Sequence, residues 1–262
     1  MKQSIASFVA HGALGLSQLD ARQASHLISS TKLGQAGVKP VANLATGNLF
    51  LTDHTKMLAD TSGSIALGWR YNSQAKQAWR WSWCSEVGPV AGGLSKPGST
   101  VAFTDTDGAT AVYTFDATKN VYVFMHPTQG RSVLTPQTDG SWTRTLVAQG
   151  ISETYDEAGR ITLVAQASGQ KRTFSHADDG SITLTLASGA TWLFKKSATG
   201  FSLFKGDDTT PAIATYVLDA QNNLTQTNIT VNNTETYTID YTHDATTGLL
   251  TEINQTDQSN MQ

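Results

Sequence analysis

Thr154-Tyr155-Asp156-Glu157-Ala158-Gly159-Arg160-Ile161-Thr162-Leu163-Val164 is the stretch on which the fold of this chain turns. Alone, it reads as a hairpin. Asp156 is placed to accept hydrogen bonds from backbone N–H groups just ahead of it, and Gly159 to take the left-handed conformation that a tight turn needs. Tyr155 and Ile161 then bury apolar area against neighbouring strands. On this reading loss of Gly159 costs more than loss of Glu157.

The unit recurs. Weaker copies stand at Phe115-Asp116 to Val121, Leu218-Asp219 to Leu224 and His243-Asp244 to Leu249, and degenerate ones at Asp139 and Asp179. Successive copies lie about 17 to 25 residues apart with one gap of roughly twice that, the period of a two-strand unit repeated along a chain. Eleven Gly-, Asn- or Asp-bearing turns, from Asp107-Gly108 to Thr247-Gly248, separate short runs such as VAFTDT, VYVFMH, SITLTLA and TYTIDY that alternate polar with apolar residues. Alternation of this kind marks strands with one buried and one wet face. From about Gly37 onward the expected fold is all-β, an antiparallel hairpin meander forming an extended, curved sheet. A sandwich also yields short strands at this spacing. Leu14 to Ser30 is the one segment with helical spacing, and residues 1–36 are expected to be a short helix or an arm.

Composition narrows the functions. The 262 residues carry a net charge of −3 with only 15% charged side chains, which argues against a basic footprint for nucleic acid and against a polybasic membrane patch. No apolar run approaches the ~20 residues of a membrane span. A lone cysteine, Cys84, excludes an internal disulfide framework, and without CxxC or paired His spacing no metal site is expected. The six histidines are scattered singly. No cofactor motif and no catalytic residue can be nominated, and the apolar start of the chain lacks a clear leader cleavage site.

Tyr155-Asp156-x-x-Gly159-Arg160-Ile161, followed by Gly169 and Phe174, resembles the YD repeat of the Rhs family, which includes polymorphic toxins, the shell-forming C components of Tc toxins and teneurins. Upstream, Pro40 to Leu49, Trp69 to Ser73 and Trp81-Ser82-Trp83 are similar to the segment that precedes the repeats in many bacterial members. The resemblance covers residues 38–262; the Tyr155 unit matches well, and the others depart at the Tyr or the Gly-Arg. It implies a cap segment over 37–100 and YD repeats over 101–262. It further implies a non-enzymatic scaffold, exported from a bacterium by a specialised route, that is part of a spiralling shell around a toxin cargo. The chain is too short to close such a shell.

Three constellations invite a sharper reading. Trp79, Trp81 and Trp83 alternate, which on a strand puts three indoles on one face. They would form either a stacking platform for a glycan, with Arg80 and Glu86 supplying polar contacts, or the aromatic core of the cap. Asp105-Thr106-Asp107-Gly108 lacks the ligand positions of a calcium loop and reads as a turn. A polysaccharide-acting enzyme would need a positioned acid/base pair. Finally, TYTIDY and LLTEIN contain no Lys, Arg or Pro, so the edge from Thr236 to Asn254 is expected to pair with another copy or with further shell strands. The N-terminal arm is the rival cover for that edge.

Overall fold

The computed structural model describes residues 28–30, 39–43, 48–58, 64–75, 77–126, 130–232 and 235–259. The expected N-terminal helix from Leu14 lies outside them, except at its end. There Ile28–Ser30 is a strand, β1, paired antiparallel with β2 (Lys39–Asn43). A β-branched residue followed by two serines favours an extended chain over a helix once a partner strand is present. With β3 (Asn48–Leu58), β4 (Ile65–Asn72) and β5 (Trp79–Trp81) these strands make a five-stranded sheet in chain order.

The second sheet has sixteen strands, again in unbroken chain order. They are β6 (Glu86–Ala91), β7 (Thr100–Thr104), β8 (Thr110–Asp116), β9 (Val121–His126), β10 (Gly130–Pro136), β11 (Trp142–Leu146), β12 (Ile151–Tyr155) and β13 (Ile161–Gln166). There follow β14 (Lys171–His176), β15 (Ile182–Thr185), β16 (Thr191–Ser197), β17 (Gly200–Lys205), β18 (Ala214–Leu218), β19 (Leu224–Asn232), β20 (Glu235–His243) and β21 (Leu250–Ser259). The meander thus starts at Glu86, inside the segment assigned to a cap, and the change of sheet falls between Trp81 and Glu86. Its buried face carries Phe103, Tyr113, Tyr122, Leu134, Trp142, Tyr155, Phe174, Phe194, Tyr216 and Tyr241, which are the alternate positions the sequence pattern selected.

One turn geometry recurs along this sheet. Asp156 N donates to Arg160 O and Gly159 N to Asp156 O. The same pair of bonds closes the turns that begin at Asp105, Gln137, Gln166, Ala177, Leu186 and Asp219. The fourth residue of each has positive φ: Gly108, Gly140, Gly159, Gly169, Gly180, Gly189 or Asn222. This is a type I turn followed by a left-handed residue, a common three-residue hairpin closure.

The aspartates of the repeat lie at one end of the sheet, where even-numbered strands hand over to odd ones. There Asp116, Asp139, Asp156, Asp179, Asp219 and Asp244 each accept a turn N–H on Oδ1. Returning to the same end takes two strands, which explains the 17-to-25-residue spacing. The double gap is the β16–β17 turn at Ala198-Thr199, which belongs to this end but has no aspartate.

Three of the quoted units share more. Immediately before Tyr155, Leu218 and His243 the register slips by one residue, and the extra residue, on the partner strand, is Thr162, Thr225 or Thr251. Each of these threonines donates its hydroxyl to the carbonyl two residues before the aspartate, at Thr154, Val217 or Thr242. A bulge of this kind bends and twists its strand. The Phe115 copy has no register slip and turns through Asn120 instead.

The meander does not close into a barrel, but its first half curls until β6 reaches the β12–β13 turn. Val87 N donates to Gly159 O at 2.9 Å, and Glu86 and Arg160 form an isolated bridge. Phe103 meets Tyr155 edge-on at 5.7 Å inside the curl. Across the second half lie β4 and β5. Trp81 contacts Phe194, Phe201 and Tyr216, Trp79 contacts Tyr241, and the Tyr71 hydroxyl accepts from Leu250 N. The aromatic core sits between these two layers.

Candidate functional site

The tryptophan run is interior. Trp79, Trp81 and Trp83 are 1%, 7% and 5% exposed, so they do not present the free platform that a glycan-binding stripe requires. The strand they were expected to share ends at Trp81, and Trp83 reaches the same side through the turn that follows. Trp83 stacks on Phe174 at 4.7 Å and 19°, and Trp81 is ringed by Trp69, Phe194, Phe201 and Tyr216. Burial of three indoles is the reading the meander demands, because a curved sheet of this length needs a second layer over its apolar face.

Arg80, between two of these indoles, faces away from them yet is also buried, at 8%. Its Nη2 donates to Glu86 Oε2 at 2.9 Å and lies 3.4 Å from Cys84 O. The pair is lopsided, because the Glu86 side chain is 48% exposed. Cys84 is half-buried, and burial pushes its thiol up, with Arg80 pulling the other way. The thiol form is therefore favoured, which does not suit a nucleophile.

Two clefts flank the Cys84 to Glu86 segment. One, of about 330 Å³, has Trp69, Trp81 and Phe201 on its apolar side and Arg80, Glu86, Lys196, Asp219 and Asn222 on its polar side. The other, of about 260 Å³, lies between Trp83 and Arg160 and includes His176. His176 Nε2 is engaged with Ile161 O at 2.8 Å. Trp69 Nε1, Arg80 Nε and Trp83 Nε1, all from residues lining these clefts, are buried without an acceptor. A buried donor left unmatched costs about 1–3 kcal/mol. No group of three or more His, Cys, Asp or Glu side chains fit to hold a metal occurs among the described residues.

A second polar cluster lies inside the curl, and no repeat residue other than Tyr155 pointed to it. The Arg144 guanidinium donates to Glu153 Oε2 (3.0 Å) and to the Tyr113 hydroxyl (3.0 Å), reaches Asp105 Oδ2 (3.4 Å), and sits 4.1 Å above the Phe103 ring. Tyr155 donates to Glu153 Oε2 at 2.6 Å and lies 2.9 Å from Ser85 Oγ. Burial alone would depress Arg144, but Asp105 and Glu153 more than offset it and hold the guanidinium above its usual range. Burial, with Glu153 adding to it, holds the Tyr155 phenol well above its own. Asp105 therefore does more than shape a turn. The signal in the sequence was that Arg144 shares the inward phase of β11 with Trp142.

Asp156 accepts from Arg160 N and pairs with the Arg160 side chain, while Tyr155 and Ile161 are buried. Asp116, Asp219 and Asp244 cap their own turns. What brings chemistry together is the β5–β6 crossover, where Arg80, Cys84 and Glu86 meet Lys196 and Asp219 from the meander. No protein-family model matches the chain, and comparison with curated proteins gives no significant match. What the geometry itself defines is an antiparallel meander with a covered aromatic face and two clefts beside the crossover.

Proposed function

We propose that the chain is a non-enzymatic β-scaffold, a segment of a YD-repeat-type shell that joins further strands through its C-terminal edge. The observation that carries this reading is the contrast between the two ends of the sixteen-strand sheet. At β6 the edge is guarded: its register slips between Val87 and Val90 around Pro89, and Gly159 O takes up the Val87 N–H. At the other end the ten-residue β21 is paired, among the described residues, with β20 alone, and it has no Lys, Arg or Pro to discourage a further strand. The resemblance to Rhs proteins supplies the rest: a toxin-associated shell and export by a specialised route.

The test is light scattering over a range of concentrations, combined with hydrogen exchange at β21. Association with rising concentration, protection of the β21 amides, and loss of both in a Glu252→Lys/Asn254→Lys variant are expected. A chain that stays monomeric throughout, with β21 exchanging freely at every concentration, overturns the edge as a joining surface.

A further inference from the structure

We propose that the cleft at the β5–β6 crossover binds a small molecule bearing an oxyanion head, carboxylate or phosphate, on a compact body. Its volume of about 330 Å³ stands at the small end of the ~300–1,000 Å³ that small-molecule sites occupy, which suits a single sugar acid or sugar phosphate rather than a polymer. Recognition does not run through the indole faces, which neighbouring rings cover. It runs through cations. Arg80 is buried and fixed, and Lys196, from β16, stands on the same cleft with no carboxylate bridged to it among the described residues.

The site already holds an oxyanion of its own. Glu86 Oε2 accepts from Arg80 Nη2 at 2.9 Å, yet the Glu86 side chain is about half exposed while Arg80 is not. The carboxylate is thus the half of the pair that is free to leave, and an incoming oxyanion takes its place on a guanidinium that stays put. Guanidinium groups suit this exchange because their fork of donors matches carboxylate and phosphate alike. Around that head, Trp69 Nε1 and Arg80 Nε are donors without acceptors, and Asn222 and Gln77 add amides at the wall. Phe201, partly exposed beside the buried Trp69 and Trp81, offers apolar surface for the body of the ligand. The inference is independent of the scaffold reading, since it concerns the crossover and not the open edge.

Calorimetric titration of the full chain at low ionic strength tests it, with galacturonate, glucose 6-phosphate and neutral glucose as probes. Saturable binding of one or both charged probes, and not of glucose, is expected; whichever binds identifies the head group. Glu86→Gln removes the internal competitor and tightens binding about fivefold, the effect of one partly exposed charge pair. Arg80→Gln abolishes binding, and Lys196→Ala, a rim change that leaves the buried pair intact, weakens it. If neither charged probe binds the Glu86→Gln variant, if glucose binds equally well, or if Lys196→Ala and Glu86→Gln both leave affinity unchanged, the proposal is overturned.

Discussion

Gly159→Ala tests the curl at its seam. Gly159 has φ of +79°, and a Cβ built on it lies 2.0 Å from Val87 O, where ordinary contact begins near 3.4 Å. Val87 is backbone on an edge strand, so relief means moving β6 away rather than turning a side chain. Three terms add. The left-handed conformation costs an L-residue about 1–2 kcal/mol, partly offset by the ~0.4–1 kcal/mol that alanine gains by restricting the unfolded chain. Loss of the hydrogen bond from Val87 N to Gly159 O costs about 0.5–1.5 kcal/mol. Displacement of Val87, 6% exposed, forfeits part of the ~1.5–3 kcal/mol its burial supplies. The sum is about 3 kcal/mol. Gly169→Ala is the internal control, because Gly169 closes the same turn at φ +86° with nothing within 4 Å of its Cβ, and it should cost no more than about 1 kcal/mol. Urea unfolding of both variants and of the parent gives the two differences. Equal losses for Gly159→Ala and Gly169→Ala would refute the contact between β6 and the β12–β13 turn.

Arg144→Ala strands the Glu153 carboxylate inside the curl and is expected to cost about 3–5 kcal/mol in urea unfolding, whereas Arg144→Met with Glu153→Leu costs far less. For His243, burial holds the imidazole below its usual 6.5, with Asp219 opposing, and its Nε2 accepts from Trp79 Nε1 at 2.9 Å. The unfolded chain therefore binds a proton that the folded chain resists. Stability is full above pH ~6.5 and falls as the pH drops toward the depressed value, and a His243→Gln variant should show a flatter urea midpoint between pH 7.5 and 5. Iodide should quench little of the fluorescence lost in Trp81→Phe or Trp83→Phe, since both indoles are buried.

The meander was legible because two local signals agree along it: a period of two in side-chain polarity, and residues fit for positive φ at the turns. The Val147 to Gly150 turn escaped because Leu146-Val147-Ala148 continues the apolar run of β11 into it. Trp83 was misplaced on the strand because alternation cannot tell a strand from a turn that delivers the next indole to the same side. The bulge threonines were in plain view, as Ile161-Thr162, Leu224-Thr225 and Leu250-Thr251. Their role depends on a carbonyl across the hairpin, eight or nine residues earlier. Arg144 and Asp105 are 39 residues apart; only the curl, a tertiary feature, makes them neighbours.

Glu86 belongs to both the cleft and the seam, through different atoms. Its side chain pairs with Arg80, which anchors the end of the first sheet, and its backbone bridges Arg160, which closes the curl of the second. Because the bridge is made by main-chain groups, it survives when the carboxylate is displaced or replaced by an amide. The two contacts are therefore separable: Glu86→Gln alters what Arg80 donates to without removing the main-chain bridge at the seam, while Gly159→Ala opens the seam without removing a charge from the cleft. The cleft's occupant would touch both sheets, through Arg80 and Trp81 of the first and Lys196, Phe201 and Asp219 of the second, while the crossover, which lines both clefts through Cys84 and Glu86, is the covalent link between them. Glu86→Gln lowers the urea midpoint on its own account, because it leaves the buried Arg80 without its counter-charge; a Gly159→Ala variant that lost anion affinity along with its urea midpoint would show that the crossover transmits strain between the layers rather than merely joining them.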